Sequence, residues 1–534
     1  MQNLATLLFD SASRAPFRPA LLDERHALDY AALAGRVRRF ADALLAAGLS
    51  SQGRVALFLD KSVDTAALLL AVVHAGGIVV PVNPKLKAQQ VAYIVRDCGA
   101  ELLVTTPHRL GELRPLLADA PVRVVLAGAA TVADESLTSL TSLLMAARAD
   151  APVHRRIDVD AAAILYTSGS TGHPKGVVVS HRNLVAGCQA VNAYLSTQAE
   201  DAILALLPIS FDAGLSQLST GLAVGAKVVL HTPLQAQQAA AAVGQHGITS
   251  ITAVPPLWSL LASARWEGIA TDQVRLFANT GGHMNATLLA QLRQTFTKAR
   301  PFLMYGLTEA FRSTYLDPAE VERRPGSIGK AIPNAEILVL RADGSVCDDD
   351  EPGELVHRGA LVSMGYWNAP EKTAERFRPL PPRLADGLAT EMAVWSGDIV
   401  RRDAEGFLYF VGRRDEMIKT SGYRISPTEI ESVLSAAPGV RDAAAFGVPD
   451  GDIGDAIYAT VAPSGDDFDR ALVDAHCAKA LPAYMAPRLV VLDQLPRSAN
   501  GKIDRVHLRE LCVQLHAETR AAAAAAPAAA ETTA

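Results

Sequence analysis

Tyr166–Gly176 reads YTSGSTGHPKG, between the apolar runs AAAIL (Ala161–Leu165) and VVVSH (Val177–His181). Two β-rich runs joined by a short polar stretch predict strand, loop, strand. Gly169 and Gly172 allow close backbone approach, Thr167, Ser168, Ser170 and Thr171 offer hydroxyl donors, and Lys175 adds a cation. Together these are the means to wrap a polyphosphate. The Walker loop places a hydroxyl residue directly after its Lys, whereas here Gly176 follows Lys175, and Pro174 disfavours helical geometry at His173. The mechanics of P-loop NTPases therefore do not carry over.

Outward from this loop, helical patterns such as Tyr30–Leu49 alternate with short strands such as RVALFL (Arg54–Leu59), IVVPV (Ile78–Val82) and ELLVTT (Glu101–Thr106). The rhythm resumes in AKVVLH (Ala226–His231), SITAVPP (Ser250–Pro256) and RLFANTGG (Arg275–Gly282). Strands reached through helices predict parallel sheets covered on both faces, an α/β doubly wound architecture in two subdomains. From about residue 325 to 414 short strands with turn signals predict a small β subdomain, closing a large N-terminal domain over 1–414. Residues 415–515 read as a small mobile C-terminal α+β domain, and the Ala-rich stretch over 516–534, broken by Pro527, as a disordered tail.

A chain of 534 residues is too long for one small module, and 49% apolar against 20% charged residues exclude general disorder. Fifty Lys+Arg against 56 Asp+Glu leave a net charge of −6, so no basic field exists to hold nucleic acid. The five cysteines, odd in number and far apart, fit neither a disulfide framework nor a zinc site and read as cytosolic thiols. The N-terminus lacks the pattern of a signal peptide. The most apolar run, Ala66–Val82, is broken by His74, Gly76-Gly77 and Pro81, which predicts a buried helix turning into a strand rather than a membrane span. A cytoplasmic protein is expected.

Five further stretches follow the loop: SFDAGLSQL (Ser210–Leu218), MYGLTEA (Met304–Ala310), WSGDIVRR (Trp395–Arg402), GRRDEMIKTSGYR (Gly412–Arg424) and SANGKID (Ser498–Asp504). In this order and over nearly the whole chain, the set resembles the AMP-forming adenylating enzymes: acyl-CoA synthetases, amino-acid adenylating enzymes and luciferases. FDAGLSQL and YGLTEAFRSTYL resemble stand-alone bacterial ligases, including prolyl-carrier-protein ligases and exosortase-associated acyl-CoA-ligase-like proteins.

The resemblance implies a reaction in two halves. A carboxylate displaces pyrophosphate from MgATP, and the thiol of CoA or of a carrier protein's phosphopantetheine then expels AMP. Lys175 and the hydroxyl loop are expected on the β- and γ-phosphates. Glu309 is expected on magnesium, since Mg²⁺ bound with phosphates needs few protein oxygens, and Thr308 on the α-phosphate. Tyr305, Gly306, Gly281 and Gly282 fall on the adenine side. Asp398, whose carboxylate has two acceptor oxygens, would take the ribose hydroxyls with Arg413 as neighbour. Lys502 corresponds to the catalytic lysine bridging carboxylate and α-phosphate. Asp415 lies where the family hinges, and Lys419 and Gly422 would serve the second half-reaction after the C-terminal domain rotates.

The substrate acid is less specified. Asp212 matches the residue that pairs with a substrate ammonium in the amino-acid branch, yet it is equally suited to capping the helix that follows. No carrier domain appears before the tail, so a carrier would be a separate protein. Two other readings share the scaffold: luciferase-like oxidation of the adenylate, and a nucleotide-binding relative without catalysis.

Overall fold

The computed structural model describes residues 3–128, 137–149, 151–167, 174–233, 235–384, 390–414, 416–420, 423–450, 454–465, 468–482, 485–498 and 501–525. The chain divides into two compact units: residues 1–346, 355–396 and 403–408, and residues 347–354, 397–402 and 409–534.

The larger unit is mixed α/β, as the alternating pattern predicts. One sheet orders its strands Thr138–Ser139, Arg123–Leu126, Leu102–Thr105, Arg54–Phe58, Ile78–Pro81, Ala161–Thr167 and Lys175–Ser180. Its strands run parallel except the last pair. In the other sheet Pro19–Leu22, Lys227–Leu230, Ala202–Ala205, Ser250–Ala253, Leu276–Asn279 and Arg300–Tyr305 lie side by side in parallel. Thr314–Leu316 and Ser327–Ala331 then continue it antiparallel. The β texture expected after residue 325 thus begins as an extension of the second sheet.

The helix Val63–Ala75 illustrates how local chemistry sets these elements. Ser62 caps its start by accepting from Thr65 N, and Gly76 ends it at φ +83°, where a Cβ would lie 2.4 Å from His154 O. Leu68, Leu69, Leu70 and Val72 are buried, and the strand Ile78–Pro81 follows at once. The apolar run is a core helix and a core strand. No helix among the described residues is long and apolar enough to cross a membrane. All five cysteines are buried and free.

Within the smaller unit, Val440–Asp450 and Gly454–Pro463 form a long antiparallel pair, and Arg488–Val491 lies parallel to the second. Ile418–Thr420 and Tyr423–Ile425 form a short hairpin, and the helices Pro427–Ser435, Arg470–Ala480 and Arg505–Ala525 complete the unit. The last helix corrects the expected start of the tail at residue 516. His516 is 4% exposed and, with Arg520, binds Asp450. The alanines beyond Arg520 carry the highest helix propensity and extend the helix to Ala525.

Candidate active site

The ends of the strands gather the motif residues of the larger unit. Thr167 and Lys175 are partners in the antiparallel pair that flanks the expected phosphate loop. Ser168, Gly169, Ser170, Thr171 and Gly172 lie outside the described residues. Gly281, at φ +72°, and Gly282 follow the strand Leu276–Asn279, where Asn279 Nδ2 donates to Gly282 O at 2.8 Å. The neighbouring parallel strand ends at Tyr305, so Gly281-Gly282 and Tyr305–Glu309 leave the same edge of one sheet. Such carboxyl ends of parallel strands are where open α/β sheets bind ligands.

Gly306 leads into the single turn Thr308–Ala310 that carries Thr308 and Glu309. Glu309 Oε1 accepts from Tyr366 Oη at 2.6 Å, and Ser363 N donates to Glu309 O at 2.9 Å. The Lys175 ammonium stands 5.5 Å from the centre of the Tyr366 ring. Desolvation and the nearby Lys372 and Arg376 charges push the Lys175 pKa down, while Glu309 opposes them. Tyr366, which sequence reading passed over, therefore joins the expected phosphate lysine to the expected magnesium carboxylate. Thr373 fixes its backbone, with Oγ1 accepting from Tyr366 N at 2.9 Å. Nothing in the turn-rich GYWNAP marks this tyrosine, because its role depends on a partner 57 residues away.

Among the described residues no group of three or more His, Cys, Asp or Glu side chains could hold a metal ion. The donor set suits a hard ion shared with phosphate oxygens through one carboxylate. The clustered Lys175, Lys372 and Arg376 provide cationic charge for a polyanion.

Asp212 is the first residue of the helix Asp212–Val224, and Phe211 occupies the N-cap position. The carboxylate accepts from its neighbour Ala213 N at 2.8 Å and from Arg312 Nη1 at 3.0 Å. Sequence reading gave Arg312 no part. It lies three residues beyond Glu309, and a side chain on Gly306 would approach its Cα to 3.0 Å, so the pair adjoins the YGLTEA motif.

In the smaller unit Arg413 Nε donates to Asp398 Oδ1 at 3.0 Å, so the expected neighbours form an ion pair. Glu354, another residue the motifs did not flag, braces them. It accepts from Gly397 N at 3.0 Å and from Arg414 Nη1 at 3.2 Å, and Gly397 adopts φ +73°. Lys502 is exposed in a turn closed by Gly501 N to Ser498 O and Ser498 N to Lys502 O. Lys419 belongs to the strand Ile418–Thr420, paired with Arg424, while Asp415 and Gly422 lie outside the described residues.

The AMP-binding enzyme family matches residues 8–367, and the AMP-binding enzyme C-terminal domain matches residues 429–502. The L-proline--[L-prolyl-carrier protein] ligase of Pseudomonas fluorescens is 32% identical over 95% of this chain and 99% of its own. The sulfoacetate--CoA ligase of Cupriavidus necator is 32% identical over 95% and 97%. Among solved structures, the o-succinylbenzoate coenzyme A synthetase of Bacillus subtilis in complex with ATP and magnesium ion aligns with a TM-score of 0.82. It is 27% identical and covers 95% of this chain and 99% of that one. The chain belongs to the AMP-binding enzyme family and is an AMP-forming ligase that adenylates a carboxylic acid and transfers it to a thiol.

Proposed function

We propose that this ligase activates a small acid carrying an amino or imino group and passes it to a pantetheine thiol, of CoA or of a separate carrier protein, in the cytoplasm. The observation that carries the phosphate side of this reading is the Lys175, Tyr366, Glu309 cluster. Two anions must meet in the first half-reaction, and preorganised cations and donors offset their repulsion. Lys175 and the loop Thr167–Gly172 hold the outer phosphates, and Thr308 meets the α-phosphate. Glu309 would hold the magnesium ion, which would supply polarisation of the phosphoryl oxygens.

Tyr305, Gly306, Gly281 and Gly282 border the adenine, and Asp398 with Arg413 takes the ribose. Lys502 serves the carboxylate and α-phosphate during adenylation. A turn about Asp415 then exchanges it for Lys419 and Gly422 in thioester formation. On the acid side the similar ligases differ, one acting on L-proline and one on sulfoacetate. Asp212 favours the amine, because a partly buried carboxylate beside the motif is suited to accept N–H donors.

ATP–pyrophosphate exchange over fatty, aromatic, sulfonated and amino acids tests this. Exchange with amino or imino acids, followed by loading of CoA or of a pantetheinylated carrier, is the expected result. Exchange confined to acids without an amine overturns the substrate reading, and no AMP with any acid overturns the site assignment.

A further inference from the structure

The backbone just beyond Glu309 is strained. Phe311 has φ +57° and ψ −62°, and Arg312 N donates to Ala310 O at 2.6 Å. This is a γ-turn of the rare positive-φ kind, unfavourable for a bulky residue unless its surroundings over-determine it. Here they do. The Phe311 ring is buried, and Gly187 opens its seat, since a Cβ there would lie 2.5 Å from the ring. Gly306 leaves room for the Arg312 backbone. On the far side Ser313 N donates to Tyr305 O at 3.1 Å, and Ser313 Oγ meets His357 Nδ1 at 3.0 Å.

This turn delivers the guanidinium to Asp212. Arg312 Nη1 donates to Asp212 Oδ2 at 3.0 Å and to Phe311 O at 2.7 Å, with the guanidinium 5.4 Å from the Phe311 ring centre. The side chains differ in access: 4% exposed for Arg312 and 17% for Asp212. The pair therefore presents its carboxylate and hides its cation. One oxygen is fixed by Ala213 N and the other by Arg312, and each keeps a further acceptor site.

We propose that Arg312 is a positioning residue, which holds the Asp212 carboxylate toward the ammonium of an amino- or imino-acid substrate. This rests on the amine-binding reading of Asp212 given above. A guanidinium so enclosed is ill-placed to bind an anionic substrate itself. Its two acceptors and the strained turn instead fix where the carboxylate points.

The test compares ATP–pyrophosphate exchange of amino and imino acids with that of their deaminated counterparts, such as L-proline with cyclopentanecarboxylate and L-phenylalanine with 3-phenylpropanoate. Wild type is expected to prefer the amine member and Asp212→Asn to lose that preference. Arg312→Gln is expected to reduce it about tenfold, through KM rather than kcat, and Arg312→Lys to restore most of it. A rise in KM for both members alike makes Arg312 merely structural, a fall in KM for the amine member makes it a competitor, and either overturns the proposal. If Arg312→Gln does not fold, Arg312→Met, which keeps a long side chain without the charge, decides in its place. A KM change confined to the amine member supports the role, and a change in both members or in neither overturns it. Should Asp212→Asn abolish the preference while the Arg312 variants keep it, only this inference falls. Wild-type exchange without amine preference, or with neither member of any pair, overturns the reading of Asp212 itself.

Discussion

The Tyr366 hydroxyl donates to Glu309 at 2.6 Å while the face of its ring meets the Lys175 ammonium, so one aromatic side chain ties a carboxylate and a cation of opposite duty to one place. A cation over a tyrosine face contributes about 0.5–1 kcal/mol at exposed sites, and a hydrogen bond to a charged group about 1.5–3 kcal/mol. Tyr366→Phe keeps the first and removes the second. It is expected to lower kcat/KM for pyrophosphate exchange about tenfold and to raise the magnesium concentration needed for half-maximal rate. An unchanged magnesium dependence would remove Tyr366 from the site.

Lys502 is exposed in its turn, so replacing it costs little packing. Lys502→Ala is expected to depress adenylation by about 10² or more, as for loss of one donor to a developing charge. Thioester formation from chemically prepared acyl-adenylate is expected to change far less. Single-turnover assays of the two halves separate these outcomes, and equal losses in both would refute the role.

Lys61 holds the two sheets of the larger unit by a different means. Its half-buried side chain donates from the ammonium to Ala205 O at 2.7 Å, Leu206 O at 3.0 Å and His231 O at 2.5 Å, at the ends of the strands Ala202–Ala205 and Lys227–Leu230. Lys61→Met keeps a side chain of similar length but leaves those carbonyls without their donor. A loss of about 3 kcal/mol or more follows from the desolvation of unpaired carbonyls, to be read from urea unfolding. A shift below about 1 kcal/mol would mean that water replaces the ammonium there.

Acid is expected to destabilise the fold before its carboxylates titrate. Burial pushes the His357 pKa down to about 3 and that of His181 to about 4, from an ordinary 6.5. Both imidazoles stay neutral in the folded chain while the unfolded chain binds protons below pH 6.5. Stability from these groups is therefore complete above pH 6.5 and falls as pH drops toward 4, by up to about 1.4 kcal/mol per pH unit for each histidine. Melting temperature measured from pH 7 to 4.5 should decline, and His357→Gln should flatten the slope. A flat wild-type profile would show that these imidazoles are protonated at no cost.

Periodicity and punctuation are local properties, and at this level the sequence was sufficient. The strand–helix alternation, the buried break at Gly76-Gly77 and the spaced motifs prescribe two largely parallel sheets and a strand, loop, strand unit at 161–180. They do so because strand and helix periods and glycine's positive φ belong to short stretches of chain. The tail shows the limit even there: alanine content alone did not reveal that His516 and Arg520 would grip Asp450 and carry the helix onward.

What tertiary structure alone decided is pairing. Asp212 read from its neighbours was a helix cap or an amine ligand in equal measure. Arg312, 100 residues away, gives it a buried counter-ion, while Glu354 holds the backbone of Gly397 beside Asp398 and Tyr366 donates to Glu309. The energy of a charge or hydrogen bond in a desolvated site depends on partners brought in by the fold, which no local window of sequence contains.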